Sequence, residues 1–212
     1  LGPFAAAEDI LFSIDLDDYF SDPEGQQLTY QPGFALPAWL TLDAATGILS
    51  GTPTNDQVGG YDLYVLASDS QSGLGLPFTL SVANTNDAPI DIIGNLRPIP
   101  EFVGPGVSVG VLGGIDPDVD TLSYSLVNDA GGRFAIDAAT GRVTVANPAL
   151  LNFEAANSHV IRVRVTDTSG LSFEEDFAIA ITDVAETPDS LTRVSGGIVA
   201  ENAANGTIVA QL

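Results

Sequence analysis

Internal repetition constrains this chain more than any other feature. The stretch "LTLDAATGILSG" at residues 40–51 returns as "FAIDAATGRVTV" at 134–145, so Asp-Ala-Ala-Thr-Gly is written twice, with Asp43 and Asp137 94 residues apart. A period of that size marks duplicated domains rather than a solenoid of short repeats. The pentapeptide holds one carboxylate, one hydroxyl and a glycine with no base beside them, which is poor catalytic equipment and good turn chemistry. Asp43 and Asp137 are placed to accept backbone N–H groups a residue or two onward, and Gly47 and Gly141 to take the positive φ that closes a hairpin.

Further pairs hold the period. Asp22-Pro23 with "LTY" at 28–30 recurs as Asp116-Pro117 with "LSY" at 122–124, again 94 apart. "VLASDSQSG" (65–73) recurs as "RVTDTSG" (164–170), and "NTNDAP" (84–89) as "TDVAETP" (182–188), at spacings of 98 and 99. The growth in spacing reads as small loop insertions within one plan. "VAENAANGTIVAQL" (199–212) then resembles "IPEFVGPGVSVGVL" (99–112), with Glu201 one further period of 100 after Glu101. The expected organisation is one domain over 1–89, a second over 90–188, and at 189–212 the first strand of a third, in a piece of a longer protein. That last strand, with Val194, Ile198, Val199 and Ile208, is expected to be disordered or paired elsewhere, because it has no sheet of its own.

Alternation gives the fold class. "YDLYVLAS" (61–68), "PFTLSVAN" (77–84), "HVIRVRVTD" (159–167) and "FAIAITDV" (177–184) change polarity with period two, so Ile161, Val163 and Val165 share one face and Arg162 and Arg164 the other. Short strands between Gly, Pro and Asp turns predict an all-β chain of tandem antiparallel β-sandwiches. The one helical signal is "NPALLNFEAAN" (147–157), with Asn147 as cap and Pro148 at the first position, worth two turns at most.

Charge narrows the partners. The chain carries 28 acids against six bases, every one an arginine, for a formal −22. Nucleic acid binding needs a basic face and is excluded as a reading. The carboxylates gather with Asn, Gly and Pro at the domain edges rather than scattering over strand faces, which favours a hard cation. There is no cysteine, so neither disulfides nor thiolate metal sites contribute. No stretch is long and apolar enough to span a membrane, and "LGPFAAAEDI" carries no export pattern.

These carboxylate motifs resemble those of a known family. The second unit is similar to a cadherin repeat: Glu101 in "PEF", "DPDVD" at 116–120, "LNFE" at 151–154, "VTD" ending at Asp167, and the closing "TDVAETP". The first unit resembles the dystroglycan-type cadherin-like variant of large bacterial surface adhesins of the RTX type, through "FSDPEGQQLTY" (20–30), "LPAWLTLDAATGILSGTP" (36–53), "VLASD" and "NTNDAP". The resemblance implies calcium at the joints, shared between an upstream and a downstream domain. At the central joint it implies Glu8, Asp56, Asn86, Asp87, Asp116, Asp118 and Asp167 as ligands. Weaker sites are implied for Asp22, Glu24 and Asp69, toward a preceding domain, and for Glu101, Glu154, Asp183 and Glu186, toward a following one. Thr54 and Asn152 stand where the motif has its first Asp, and Ala185 stands where the first linker has Asn86.

Catalytic readings find no support. A pair of acids at glycosidase spacing means little among 28. His159, the one histidine, is expected on the wet side of its strand, and Trp39, the one tryptophan, as a core plug beside Leu36, Leu40 and Leu42. No glycine-rich phosphate loop opens a helix. The expected function is therefore non-catalytic: a calcium-stiffened extender in a secreted or surface-exposed bacterial adhesin. Its expected partners are calcium and neighbouring domains of the same chain. The alternatives are a carbohydrate-binding module that recognises cell-surface glycans and a homophilic adhesion domain.

Overall fold

The computed structural model describes residues 1–69 and 71–187. The expected third-unit strand, and Glu201 with it, lies outside the described residues. The chain separates into two compact units, residues 1–86 and 87–212.

In the first unit, β1 (Phe4–Ala7), β7 (Gly73–Ala83), β6 (Gly59–Ser68) and β3 (Thr29–Pro32) form one sheet in that spatial order, and β2 (Phe12–Asp15), β5 (Ile48–Gly51) and β4 (Leu40–Leu42) form the other. The chain crosses between sheets at the steps from β1 to β2, β2 to β3, β3 to β4 and β5 to β6. Leu16, Tyr30, Leu40, Leu49, Val65 and Leu80 are buried between the sheets. Period-two alternation dictates this, because every second side chain of a strand turns inward.

The second unit repeats the plan with one more strand. β12 (Phe134–Ile136), β13 (Arg142–Val145), β10 (Ser108–Ile115) and β8 (Asp91–Leu96) make one sheet; β11 (Ser123–Asn128), β14 (Ser158–Thr166), β15 (Ser172–Thr182) and β9 (Ile99–Pro100) make the other. β8 pairs antiparallel with β10, from Leu96 opposite Gly110 to Asp91 opposite Ile115. The first unit departs from this plan after β2. There Asp15 accepts the N–H of Asp17 at 3.0 Å and winds Leu16–Asp18 into a turn of 3-10 helix, where the second unit continues its strand.

The duplicated pentapeptide does more than turn a hairpin. Asp43 Oδ1 accepts from the N–H of Ala45 and Thr46, and Asp137 Oδ1 from that of Ala139 and Thr140. The carbonyls of Gly47 and Gly141 accept from Leu16 and Leu112 at 3.0 Å, and those of Ala44 and Ala138 accept from Tyr30 and Tyr124 at 2.9 Å. Tyr30 and Tyr124 belong to the opposite sheet, so each pentapeptide ties the two layers of its sandwich together. Gly47 and Gly141 have φ of +69° and +65°. The helical signal at 147–157 resolves to one 3-10 turn over Pro148–Leu150, with Asn147 accepting the N–H of Ala149 and Pro148 at its start.

Candidate metal centre

The two units build the same feature at the end of β1 and β9. After β1, Glu8 donates its N–H to Ala83 at 3.1 Å; after β9, Glu101 donates to Thr182 at 3.1 Å. The following residue is in the left-handed region in both cases, Asp9 and Phe102 each at φ +58°. Left-handed backbone is uncommon outside glycine and costs of order 1 kcal/mol. Both glutamates are fully buried. Glu8 Oε1 accepts the N–H of Thr85, and its Oε2, also buried, accepts no hydrogen bond. Glu101 Oε1 accepts the N–H of Val184 at 2.9 Å and Oε2 that of Phe153 at 2.8 Å.

Around Glu101 a full carboxylate cluster assembles. Glu101, Glu154 and Asp183 each offer an oxygen within 4.8 Å of the others, with Glu101 buried and the other two exposed. Glu154 comes from the loop after the 3-10 turn and Asp183 from the residue that follows β15. Three carboxylates at that spacing repel one another unless a cation shares them. The ion pairs seen among the described residues, Arg162–Asp176 and Arg164–Glu174, lie elsewhere, on the outer face of β14 and β15. The donor set is all oxygen, and backbone N–H groups fix the orientation of Glu101. That chemistry fits a hard cation such as Ca²⁺, which takes 6–8 oxygen ligands at 2.3–2.6 Å. Glu186 is half-buried in the segment beyond Asp183, outside this trio.

The substituted motif positions are turn caps. Thr54 N–H and Oγ1 both donate to the Gln57 side chain, while Asn152 Oδ1 accepts the N–H of Ala155 at 2.6 Å. Each cap carries an acid two residues on, Asp56 and Glu154, both exposed.

The remaining candidates sit in two kinds of loop, one set per unit. Asp116 Oδ1 accepts from Asp118 and Asp120, and Asp22 Oδ1 accepts from Glu24 and Gln26. Asp167 Oδ1 accepts from Ser169 and Leu171, and Asp69 Oδ1 from Gln71 and Ser72. The backbone N–H groups of Ser72 and Gln71 hold Asp69 below the usual carboxylate range. Asp22 and Asp69 line one open surface pocket of the first unit. In the second unit the hydroxyl of Thr168 reaches Asp120 at 3.3 Å, joining the two loops. Asp118 Oδ2 accepts the N–H of Asp87 at 2.6 Å, and Asp116 Oδ2 is buried with no hydrogen-bond partner. Asp167 is buried; Asn86 and Asp87 are half-buried.

Two single residues were assigned from sequence. Trp39 is half-buried against the first core, edge-on to Tyr61 at 5.9 Å, in keeping with a core plug. His159 is not on the wet side. It shares the inward face of β14 with Ile161, Val163 and Val165, is half-buried beside Phe134, and has an Nε2 buried without a partner. Counting by two from Ile161 gives this directly; its polarity suggested the opposite face.

Residues 2–83 match the family described as Putative Ig domain, and residues 97–181 match the Cadherin domain family. The chain is 31% identical to Cadherin-17 of Mus musculus and 32% to that of Homo sapiens over 124 residues, which is 57% of this chain and 15% of each relative. The chain thus spans about a seventh of the length of the curated relatives it matches. Among solved structures, human protocadherin-24 EC1-2 aligns with a TM-score of 0.62 at 17% identity, over 86% of this chain and 94% of that one. Protocadherin gamma B2 domains 3-6 align with a TM-score of 0.66 at 16% identity, over 92% of this chain and 49% of that one. These similarities show the fold: an Ig-like domain followed by a cadherin domain, both β-sandwiches. Among the described residues no helix is long and apolar enough to cross a membrane.

Proposed function

Taking an Ig-like domain followed by a cadherin domain as its starting point, we propose that this chain is a calcium-binding adhesion module of a secreted or surface-exposed protein, a bacterial adhesin of the RTX type. The observation that carries the reading is the convergence of Glu101, Glu154 and Asp183, one buried and two exposed, within 4.8 Å.

Each residue has a distinct part. Glu101 anchors: two backbone N–H groups hold its carboxylate in place before any ion arrives, which lowers the ordering entropy that binding must overcome. Glu154 and Asp183 close on the ion from a loop and a strand end, and so fix two segments at once. Bound calcium supplies the positive charge that these acids otherwise lack. The same roles are proposed at the first linker, with Glu8 as anchor, Asp56 and Asn86 from the first unit, and Asp87, Asp116, Asp118 and Asp167 from the second. Asp22, Glu24 and Asp69 are proposed as ligands toward a preceding domain and Glu186 toward a following one. The module spaces and presents; it does not catalyse.

Extracellular calcium modules bind at ~10⁻⁴–10⁻³ M, so ~10 mM calcium over a ~1 mM site stabilises by about 1.4 kcal/mol. The test is titration calorimetry and thermal melting of residues 1–212 with calcium and with chelator, beside Glu154→Gln/Asp183→Asn and Asp116→Ala/Asp118→Ala. Calcium should raise the melting temperature, and each double change should remove heat of binding. Identical melting with and without calcium overturns the reading.

A further inference from the structure

The outer face of the first unit's larger sheet differs in kind from the same face of the second. Register makes the two comparable position by position. Tyr64 pairs with Pro77 and Leu66 with Gly75, as Arg162 pairs with Asp176 and Arg164 with Glu174. The second unit covers this face with two exposed ion pairs. The first covers it with a tyrosine, a proline, a leucine and a glycine, although residues 1–86 hold eleven acids and no base. The fold therefore does not require an uncharged face here.

The tyrosine is accommodated deliberately. A Cβ on Gly33 would lie 2.3 Å from Tyr64 Cδ1, and a Cβ on Gly75 would lie 2.2 Å from its Oη. The ring occupies the height above the sheet at which neighbouring Cβ atoms normally sit, so it lies down along the surface rather than standing off it. Gly33 and Gly75 are on opposite sides of β6, so both flanking strands are cleared for one ring. Phe34 stands beside it, 71% exposed, with centroids 5.9 Å apart and planes 61° apart, so it forms a raised wall at one side of the flat Tyr64 ring. Exposed Gln31, Asp62 and Thr79 border the pair with hydrogen-bonding groups.

We infer that the Tyr64 ring, walled on one side by Phe34, forms a stacking site for an uncharged polysaccharide. A sugar ring offers an apolar C–H face to lie on an aromatic surface and hydroxyls around its rim, which matches an open aromatic surface edged by polar side chains. Tyrosine offers such a surface at low conformational cost, with two side-chain torsions. Eleven acids and no base in residues 1–86 disfavour uronate, sulfate and phosphate polymers as ligands, since like charges repel. Trp39 takes no part, being half-buried against the first core. This inference stands independently of the calcium reading.

The test is electrophoresis of residues 1–212 through gels containing β-1,4-glucan, α-1,4-glucan, mannan, xylan or polyuronate, at constant calcium. Retardation is expected in at least one uncharged polymer and not in polyuronate. Phe34→Ala and Tyr64→Ala, both surface changes, should each weaken binding about tenfold, equivalent to ~1.4 kcal/mol for a lost ring contact. Arg162→Ala, on the same face of the second unit, should leave retardation unchanged. Three outcomes overturn the inference: no retardation in any uncharged polymer, retardation indifferent to Phe34 and Tyr64, or a platform whose loss instead alters sedimentation of the protein, which would make it a contact between copies.

Discussion

Glu101 accepts the backbone N–H of Val184 at 2.9 Å, joining residues 83 positions apart, and Glu8 holds Thr85 in the same way in the first unit. In each case a buried carboxylate ties the entry of a domain to its exit strand. Glu101 also holds Phe153, and so the loop that carries Glu154. Structural and proposed metal-binding roles therefore meet in one side chain. Glu101→Gln keeps a single acceptor oxygen and leaves one of two buried N–H groups unmatched, a cost of about 1–3 kcal/mol. Chemical denaturation in chelator should show that loss, and the calcium-dependent gain in stability attributed to this cluster should vanish with it.

The two pentapeptide glycines are not equally replaceable. At Gly141 an added Cβ would meet the Leu112 carbonyl oxygen at 2.1 Å; at Gly47 it would meet the Tyr30 ring at 2.7 Å. Both substitutions suffer the positive φ, but a backbone carbonyl held in a sheet yields less than a side chain. Gly141→Ala is expected to destabilise the second unit by about 2–4 kcal/mol, with Gly47→Ala costing the first unit less. Trp39 fluorescence follows the first unit alone, because the second has no tryptophan.

Stability should fall in two steps on acidification. Burial, then the neighbouring Arg133 charge, holds His159 below its ordinary value of 6.5, so the folded state favours the neutral ring. Its contribution is complete above about that value and is lost as pH falls through the lower folded value. Asp43 and Asp137 are held below 3.8, the former chiefly by the N–H groups of Thr46 and Ala45, the latter chiefly by the Thr140 hydroxyl. Asp176 is held down by Arg162. Their contribution is intact at neutral pH and is lost as pH falls below about 3.8. Melting in chelator from pH 7.5 to 3 should show both steps, and His159→Gln should remove the upper one.

Glu175 occupies an inward position of β15 that the first unit fills with Leu76, as the pairing of Val163 with Glu175 and Val65 with Leu76 shows. Its Oε2 is buried and accepts no hydrogen bond. Among the described residues β9 pairs with β15 only at Ile181 and Thr182, leaving the edge beside Glu175 open, and an inward charge is one way an open edge is kept from pairing. Glu175→Leu should stabilise the second unit by about 1–2 kcal/mol, since it removes a desolvated polar atom. It should also make the chain associate at high concentration, seen by sedimentation velocity. A variant that is more stable and fully monomeric would show that the charge does not protect the edge.

Much was legible in sequence because it is local. Alternation in "HVIRVRVTD" determined which side chains of β14 face inward, since a strand's geometry has period two wherever it lies. Asn147-Pro148 determined the single 3-10 turn, and Asp-Ala-Ala-Thr-Gly determined its own aspartate-capped loop, because those hydrogen bonds span three residues or fewer. Repetition at 94–99 residues determined that the two units would share one strand plan.

What the sequence left open depends on contacts across long separations. Only the fold brings Glu101, Glu154 and Asp183 together, residues up to 82 positions apart in three separate segments. That the pentapeptide links two sheets depends on where Tyr30 and Tyr124 arrive, which no local rule specifies. That the chain coils at Leu16–Asp18, where the second unit stays extended, shows only when the two units are compared in three dimensions. Gly33 and Gly75 read as ordinary turn and strand glycines until packing lays the Tyr64 ring across both. Sequence specifies the conformation of each segment through its own torsions and nearest neighbours. Which segments then share a face or a cluster is decided by tertiary packing, where the energy of one contact depends on all the others being made at once.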